Sequence, residues 1–464
     1  MLDLSYNKIQ GTIPDWAWSN WMHSMSVLDL SHNMLTSFDH IHLLPLYAID
    51  LRSNFLQGSL PIPQTSIPSS FCNLTSLMIP DLSRNKLEGA VPQCFGNMSE
   101  LLVIFDMQHN SISGNLQITC TFGSSIKSFN LHGNKLEGKI PRSLASCNQL
   151  EVLDLGNNHL NDTFPMWLGT LPTLQVLSLR SNKLHGPIRT SSIENLFPQL
   201  QILDLSGNAF TAELPTSLFQ QLKAMWRMDQ TIKPPISDEG DLYYTDSVTV
   251  VTKGLEHEVV RILSLYITID LSNNKFEGYI PSVLGDLISL RVLNLSHNGL
   301  HGHIPPSLGN LSLVESLDLS SNQLVGKIPE QLASQLTSLA VLNLSYNHLE
   351  GCIPRGPQFA TFENNSYEGN DGLREFPLLR GCESNGIPER NTTRELDEES
   401  NSTFLSEFRK AIFMGYESGL IIGFFIAYFM LSSRNPNWLS WIVEELKYII
   451  MARRQKKQQG QREE

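Results

Sequence analysis

The sequence predicts an α/β solenoid, a curved stack of short repeats, together with one transmembrane helix near the C-terminal end. Three observations carry this prediction. A leucine pattern that closes on an Asn recurs 13 times, mostly at spacings of 24 to 26 residues. The recurrence is interrupted by a gap of 66 residues between Asn208 and Asn274. Residues 411–433 form an apolar run of 23 residues whose single charge is Glu417.

The repeats follow the pattern L-x-x-L-x-L-x-x-N, which is typical of leucine-rich repeats. The Leu side chains point inward, and each unit buries them only by stacking on its neighbours. Because an Asn side chain offers both a donor and an acceptor, we expect the closing Asn to be part of the scaffold. The closing residues are Asn7, Asn33, Asn54, Asn85, Asn110, Asn134, Asn158, Asn182, Asn208, Asn274, Asn298, Asn322 and Asn347.

Many copies continue after the Asn as Leu-x-Gly-x-Ile-Pro, as in residues 136–141 and 300–305. Gly permits a backbone turn, and Pro fixes the next φ angle without needing a hydrogen-bond donor. The copies predict nine repeats in residues 1–218 and four in residues 266–350, with a terminal cap in residues 351–382.

Residues 219–265 break the leucine pattern and are predicted to form an inserted island domain. We expect a short helix over 219–228, a break at Pro234 and Pro235, an acidic stretch at 238–241 and a strand over 248–252. A long non-repeat segment inside a solenoid is usually functional or disordered, and the aromatic and β-branched content here favours order.

The apolar run 411–433 is long enough to cross a membrane, because a helix of this length spans about 34 Å. The preceding segment 383–410 is acidic and the short tail 434–464 is basic, so the positive-inside rule places the repeats outside the cell in a single-pass type I orientation. Small residues recur every four positions and predict a groove for a second membrane helix. They are Gly415, Gly419, Gly423 and Ala427.

All N-x-[ST] sequons precede the membrane segment, which agrees with an extracellular region and predicts N-glycosylation. They begin at Asn73, Asn97, Asn161, Asn294, Asn310, Asn343, Asn364, Asn391 and Asn401.

Six Cys residues fit an oxidising compartment. Cys352 and Cys382 bracket the cap and are expected to form a disulfide there. Cys94 and Cys120 lie nine and ten residues past the closing Asn of adjacent repeats, so stacking is expected to bring them within bridging distance. Cys147 occupies a Leu position and is predicted to be a buried thiol.

Composition and motifs argue against several function classes. The formal charge of −13 argues against nucleic-acid binding, which depends on Lys and Arg neutralising phosphates. Only 31 residues follow the membrane segment, too few for a kinase, and no catalytic constellation or zinc-type Cys spacing occurs. The motif Asp39-His40-Ile41-His42 is better explained as a solvated loop than as a metal site. We therefore predict no enzyme activity, cofactor or metal.

The order of parts resembles the plant leucine-rich-repeat receptor-like proteins of the tomato leaf-mould resistance (Cf-type) class. Two motifs carry the resemblance. Residues 244–254 match the family's island motif of Tyr, eight residues, then Lys-Gly, and residues 364–370 match its cap. The resemblance implies a plasma-membrane receptor without a kinase, which perceives a pathogen-derived or apoplastic ligand, protein or glycan, in plant defence. It also implies an adaptor receptor-like kinase bound through the membrane helix and a co-receptor kinase bound through the ectodomain.

Candidate binding residues follow from the geometry of the strands, in which the x positions point to solvent. Before the island the candidates for the ligand are Asp106, His109, Lys127, Asn130, His132, Glu151, Asp154, Arg180 and Asp204. In the island motif they are Tyr244, Lys253 and Gly254. The later repeats are closer to consensus, which suits co-receptor docking and equally suits structural capping. Their outward residues are Asp270, Ser272, Asn294, Ser296, Asp318, Ser320, Asn343 and Ser345.

Two alternative functions share these features: a developmental peptide-hormone receptor-like protein, and an inactive receptor fragment. The chain begins inside a repeat strand, at residues 1–7, without a leader, so truncation at the N-terminus is predicted. A soluble inhibitor of cell-wall hydrolases fits less well because it would lack a membrane span.

Overall fold

The computed structural model describes residues 1–14, 16–17, 25–37, 46–60, 76–91, 100–120, 123–189, 195–226, 247–252, 255–260 and 266–374. The chain divides into two units, residues 1–383 and 384–464, and every described residue belongs to the first. That unit is a solenoid of stacked repeats.

Thirteen short parallel strands form the first sheet, one ahead of each closing Asn, which confirms the predicted repeats. Neighbouring strands pair in register, with Val152 opposite Val176 and Leu153 opposite Leu177. The side of this sheet that carries the x positions is called the concave face below. The strands are Leu2–Asp3, Val27–Asp29, Ala48–Asp50, Ile79–Asp81, Ile104–Asp106, Ser128–Asn130, Val152–Asp154, Val176–Ser178, Ile202–Asp204, Thr268–Asp270, Val292–Asn294, Ser316–Asp318 and Val341–Asn343.

The Leu-x-Gly continuation forms further strands, where the sequence predicted only a turn. These strands pair between successive repeats into shorter parallel sheets, here called the second sheets. They are Gln10–Thr12 and Met34–Ser37; Gln57–Leu60, Lys86–Gly89, Ser111–Asn115, Lys135–Gly138 and His159–Leu160; and His185–Pro187, Ala209–Glu213, Lys275–Gly278, Gly299–Gly302, Gln323–Gly326, His348–Cys352 and Gly372–Arg374.

Short helices follow the Ile-Pro motif and complete the repeats. The Pro carbonyl accepts the first helical bond, as from Leu144 N to Pro141 O at 3.2 Å. In the six described helices that follow a Pro, which do not include Lys223–Met225, Phe359–Thr361 and Asn364–Ser366, the Leu is buried and anchors the helix to the core. The 3-10 helices are Arg142–Ser146, Met166–Thr170, Lys223–Met225, Ser282–Asp286, Pro306–Asn310, Phe359–Thr361 and Asn364–Ser366, and the α-helices are Thr216–Phe219 and Glu330–Gln335.

The closing Asn residues tie the repeats together, as predicted. Asn134 is representative: its Nδ2 donates to the carbonyls of Met107 and Leu131, both at 3.0 Å, and its Oδ1 accepts from Ile112 N at 3.0 Å. Asn7 binds only carbonyls of its own repeat, whereas each later closing Asn satisfies backbone groups in its own repeat and in the preceding one. Leaving such groups unpaired would cost about 1–3 kcal/mol each.

The core is one continuous column of the pattern's Leu side chains, which are almost completely buried from Leu28 to Leu349. Aromatic residues replace Leu at several levels and stack on one another, as Phe105 does on Phe129 at a ring-centroid distance of 5.1 Å. The solenoid is therefore stabilised mainly by contacts between neighbouring repeats.

The island leaves the stack without changing its register, because the strand Ile202–Asp204 pairs directly with Thr268–Asp270. Within it, the strands Ser247–Thr252 and Leu255–Val260 pair antiparallel. The strand predicted over 248–252 is confirmed.

The helix predicted over 219–228 is wrong in its position. The α-helix Thr216–Phe219 ends where the prediction began, and a 3-10 helix, Lys223–Met225, follows it. The reason is burial: Leu218, Phe219, Leu222 and Met225 all pack into the core, so this segment completes the ninth repeat and does not open the island.

The disulfide predicted between Cys94 and Cys120 is wrong. Cys120 is bonded to Cys147, with a Cα separation of 5.4 Å, so Cys147 is buried as predicted but is not a free thiol. The chain after the strand Ser111–Asn115 runs past the next helix, where the Ser143 hydroxyl donates to the Ile118 carbonyl. This path brings Cys120 beside the following repeat.

The cap continues the repeat geometry beyond the last predicted repeat. Asn370 acts as one more closing Asn: its Nδ2 donates to Leu344 O at 2.9 Å, and its Oδ1 accepts from Leu349 N at 2.9 Å. Leu344 N donates to Ser366 O at 2.7 Å, which continues the backbone ladder of the first sheet. Cys352 is disulfide-bonded, and the partner predicted for it, Cys382, lies outside the described residues.

In the second sheets, a side chain of one repeat covers a glycine of the next. Tyr279 lies over Gly302, where an added Cβ would stand 2.3 Å from its ring, and His303 lies over Gly326 in the same way, at 2.2 Å. Both glycines also have a positive φ angle, 78° and 79°. Only glycine fits these positions without displacing the neighbour.

Candidate functional site

The concave face carries a column of side chains from the last residue of each strand, here called the acceptor column. Its Asp and Asn oxygens accept the backbone N–H two residues further on, for example Ser206 N to Asp204 Oδ1 at 3.0 Å. The members are stacked in register, so like charges lie side by side where two Asp are adjacent. They are Asp3, Asp29, Asp50, Asp81, Asp106, Asn130, Asp154, Ser178, Asp204, Asp270, Asn294, Asp318 and Asn343.

A second column lies two residues further along the chain, here called the variable column. Ser is its commonest member, and after the island every member is Ser: Ser272, Ser296, Ser320 and Ser345. Before the island the column also holds Arg52, Gln108, His132, Gly156 and Arg180. Large and charged side chains of this column are therefore confined to the repeats that precede the island.

A buried polar network centres on His132. Its Nδ1 lies 3.2 Å from Asp154 Oδ1, and its Nε2 lies 3.0 Å from Asn157 Nδ2. Its ring also contacts His109 edge-on, at a centroid distance of 5.3 Å. Gly156 makes room for this arrangement, because an added Cβ would lie 2.8 Å from His132 Nδ1.

The ionisation of this pair follows from its contacts. Burial would lower the pKa of His132, but the attraction of the Asp154 carboxylate and their hydrogen bond raise it above the ordinary value. Burial would raise the pKa of Asp154, but His132 and the Gly156 backbone N–H hold it below its ordinary value. The pair therefore favours its ionised form.

Two pairs of adjacent carboxylates behave differently. Burial and the neighbouring Asp270 raise the pKa of Asp204 to about 7, although Arg180 Nε lies 3.9 Å from its Oδ2. Burial and the neighbouring Asp81 raise the pKa of Asp50 to about 8, although Arg52 Nε lies 3.2 Å from its Oδ2. One cation beside two stacked carboxylates leaves part of their repulsion uncompensated.

The predicted ligand-binding residues differ in exposure. Lys127 is exposed and Glu151 half-buried, and their charged groups lie 3.8 Å apart; His109 is also half-buried. The prediction of solvent-facing side chains is wrong for the other six, which are buried by their in-register neighbours and bind backbone or one another. Those six are Asp106, Asn130, His132, Asp154, Arg180 and Asp204.

After the island, Asp and Asn alternate in the acceptor column and bind each other. Asn294 Nδ2 donates to Asp270 Oδ2 at 3.1 Å, and Asn343 Nδ2 donates to Asp318 Oδ2 at 3.2 Å. Asp270, Ser296, Ser320 and Ser345 are buried here, contrary to the prediction, whereas Ser272, Asn294, Asp318 and Asn343 are half-buried.

Asn294 and Asn343 were predicted both to dock a partner and to carry glycans. A glycan would be attached through the Nδ2 atom that binds Asp270 or Asp318 and would cover this face, so the two predictions compete. The sequons at Asn161, Asn310 and Asn364 lie on exposed residues.

The predicted site residues did not include Arg52, Gln108, Asn157 or the pair formed by Asp50 and Asp81. Arg52 and Gln108 could have been found from their repeat position, because both replace the consensus Ser of the variable column. The pairing of Asp50 with Asp81 can be predicted only when the register of the two adjacent strands is known.

One family model, described as Leucine rich repeat, matches residues 148–210 and 267–324. A second model with the same description matches residues 125–147 and 338–359. The Receptor-like protein Cf-9 homolog of Solanum lycopersicum is 52% identical over 276 residues, which are 58% of this chain and 32% of that protein. The repeats are thus similar to those of a Cf-9-related plant receptor-like protein. Receptor-like protein 32 of Arabidopsis thaliana is 39% identical over 293 residues, covering 62% of this chain and 33% of the relative. The chain thus spans about a third of the length of these curated relatives.

Solved structures of plant receptors share the solenoid of this chain. The structure of PEPR1-AtPEP1 has a TM-score of 0.58 and 27% identity and covers 83% of this chain and 49% of its own. The Arabidopsis receptor kinase HAESA, in complex with the peptide hormone IDA and the co-receptor SERK1, has a TM-score of 0.56 and 26% identity, with coverages of 82% and 62%.

Several predicted sites lie outside the described residues: Tyr244, Lys253 and Gly254 of the island; Cys94 and Cys382; Asn73, Asn97, Asn391 and Asn401; and the membrane segment 411–433 with Gly415, Gly419, Gly423 and Ala427. Within the described part of the chain, no helix has the length and apolarity to span a bilayer.

Proposed function

We propose that this chain belongs to a cell-surface receptor without a kinase, which perceives a pathogen-derived or apoplastic ligand through its concave face and island. A single membrane helix at 411–433 anchors it in the plasma membrane, with the repeats extracellular and the basic tail cytoplasmic. The similarity to the Receptor-like protein Cf-9 homolog supports this assignment.

The confinement of large and charged variable-column residues to the repeats before the island is the observation that carries the proposal. In that part of the concave face, Arg52, Gln108, His132 and Arg180 replace Ser and lie close to carboxylates of the acceptor column. A rigid scaffold with local differences at equivalent positions suits the recognition of one specific ligand. Lys127, which is exposed, and Glu151, which is half-buried, extend this surface with further charges.

Signalling then depends on partner receptors. The small residues Gly415, Gly419, Gly423 and Ala427 would pack against the membrane helix of an adaptor receptor-like kinase. The Ser-rich repeats after the island would dock a co-receptor kinase, as the HAESA complex contains a co-receptor beside its peptide hormone.

The test expresses the full chain with an epitope tag in leaf cells that carry a calcium reporter. Apoplastic fluid from infected leaves should raise calcium only in cells that express the chain. Charge reversal by Lys127→Glu with Glu151→Lys, a pair on this face that solvent reaches, should weaken the response. The Glu350→Gln variant, altered at an exposed residue of a second sheet, serves as the control. Equal calcium signals with and without the chain, at confirmed surface abundance, would refute the proposal.

A developmental peptide-hormone receptor is the second candidate, and the peptide hormone in the HAESA structure favours it. The same assay separates the two functions. A response to fluid from healthy leaves as strong as that to infected leaves would favour the developmental candidate.

A further inference from the structure

A pocket of about 450 Å³ lies where the last strand of the first sheet, Val341–Asn343, meets cap residues 361–366. Its size is in the range of pockets that hold small ligands or short peptide segments. The pocket lies at the end of the concave face far from the variable residues of the early repeats.

The charge of this pocket is negative. Asp318 and Glu363 line it, and its described lining includes no Lys, Arg or His. Asp318 Oδ1 accepts from Ser320 N at 2.9 Å and from Ser320 Oγ at 2.6 Å, and its Oδ2 accepts from Asn343 Nδ2 at 3.2 Å. An ionised carboxylate has about four acceptor sites, so Asp318 Oδ2 can accept one further bond.

The charge of Glu363 is not paired with any described residue. It stands at the N-terminus of the 3-10 helix Asn364–Ser366, but its side chain does not cap that helix. It is exposed and forms no side-chain hydrogen bond or ion pair with any described residue. Phe362, Val341 and Leu342 line the same pocket with apolar atoms.

We propose that this pocket binds an Arg or Lys side chain that neighbours an apolar residue in an extended segment of a partner protein. The carboxylates of Asp318 and Glu363 bind the cation, and Phe362 with its apolar neighbours packs against the adjacent residue. Bonds between a cation and carboxylates are among the stronger hydrogen bonds in proteins. The proposal rests on the proposed function, in which the chain works with a partner receptor.

The occupant is a separate protein for two reasons. The segment of this chain that follows the cap, residues 383–410, carries seven Asp and Glu against four Lys and Arg, so its net negative charge opposes entry into an acidic pocket. In the proposed function, the perceived ligand is bound by the part of the concave face that precedes the island. The pocket instead belongs to the near-consensus repeats.

The test measures the binding of labelled hexapeptides to the full chain in detergent by fluorescence polarisation. The probe peptide is Gly-Ser-Leu-Arg-Ser-Gly with blocked ends, compared with versions in which Lys, Gln or Glu replaces Arg. We expect the Arg peptide to bind about tenfold more tightly than the Gln peptide, which corresponds to one charge-assisted hydrogen bond. The Glu peptide should bind most weakly.

The double variant Asp318→Asn with Glu363→Gln should lose the preference for Arg over Gln. It is expected to fold, because Asn occupies the position equivalent to Asp318 at Asn294 and accepts the same backbone bond at 3.1 Å. The Glu350→Gln variant should retain the preference. If the double variant fails to fold, Glu363→Gln alone should reduce the preference, because this side chain makes no bond in the fold.

Equal affinities for the Arg and Gln peptides, or a preference that survives in the folded double variant, would overturn the inference. The calcium assay of the proposed function uses no added peptide probe. A failure of peptide binding with an intact calcium response therefore removes this pocket assignment alone.

Discussion

The backbone of Gly156 lies against the imidazole of His132, so closely that an added Cβ would stand 2.8 Å from Nδ1. The same Cβ would stand 2.8 Å from Cγ of Arg180. Two of the large variable-column residues thus depend on a glycine that lies between them in the column.

Gly156→Ala should therefore displace His132 and Arg180 and lower the free energy of unfolding by about 1–3 kcal/mol, the usual cost of overpacking. Urea denaturation measures the change. Gly123→Ala is the matched control, because a Cβ there lies 3.8 Å from the nearest atom, in Glu100. Identical urea midpoints for the two variants would show that the space at Gly156 is not restrictive.

The stability of the fold should decrease as pH rises from 5 to 8.5. The pKa values of Asp50 and Asp204 are raised to about 8 and about 7, so the folded state binds their protons more tightly than the unfolded state. The stabilisation is complete below the unfolded value of about 3.9 and is lost as pH rises through the folded values. His132, whose pKa is also raised, acts in the same direction above about pH 6.5.

Melting temperatures across this pH range test the prediction. Asp204→Asn should flatten the pH dependence, because a neutral amide keeps the backbone bond, as Asn294 does. Asp286→Asn, at an exposed helix residue, should leave the slope unchanged. A melting temperature that rises with pH in the unmodified chain would contradict the assignment.

Asn370→Ala should destabilise the C-terminal repeats by about 1–3 kcal/mol, because it leaves buried backbone groups of Leu344 and Leu349 unpaired. Hydrogen exchange measured by mass spectrometry should show faster exchange in residues 341–352. Asn365→Ala, at an exposed cap residue, is the control. Unchanged exchange in the Asn370 variant would mean that the cap does not act as a further repeat.

The disulfide between Cys120 and Cys147 closes a loop with a sequence separation of 27 residues. Replacing both by Ala should cost about 2–4 kcal/mol of stability. Alkylation of the unreduced chain, followed by peptide mass analysis, reports the pairing directly. A peptide that links Cys94 to Cys120 would restore the original sequence prediction.

Gly419→Leu with Gly423→Leu should abolish co-purification with an adaptor receptor kinase and leave membrane insertion intact, because Leu makes the segment more apolar. The control replaces Leu420 and Ile421, which lie between the two glycines, by Val. Co-purification that persists in the Leu variant would place the kinase contact elsewhere in the chain.

The repeat strands could be predicted from sequence because the leucine spacing and the closing Asn form a short motif that is complete within each repeat. The Cys120–Cys147 bond could not, because it depends on the path of the chain between Asn115 and Cys120, where no motif repeats. The burial of Asp154 and His132 was also missed. Alternation along a strand shows which face a side chain lies on, but its burial depends on the side chains of the adjacent strands.

The covering of Gly302 by Tyr279, and of Gly326 by His303, has a consequence for the exchange of repeats between receptors. The outermost residue of a donor repeat is accommodated only if the recipient repeat has a glycine at the matching position. A bulky residue such as Tyr279 is therefore transferable only with the repeat that follows it. Thr163 is less restrictive, because an added Cβ at Gly186 would lie 3.8 Å from it, so the repeat that follows Thr163 can carry a residue other than glycine there more easily. The unit of exchange in such a solenoid is thus a pair of neighbouring repeats.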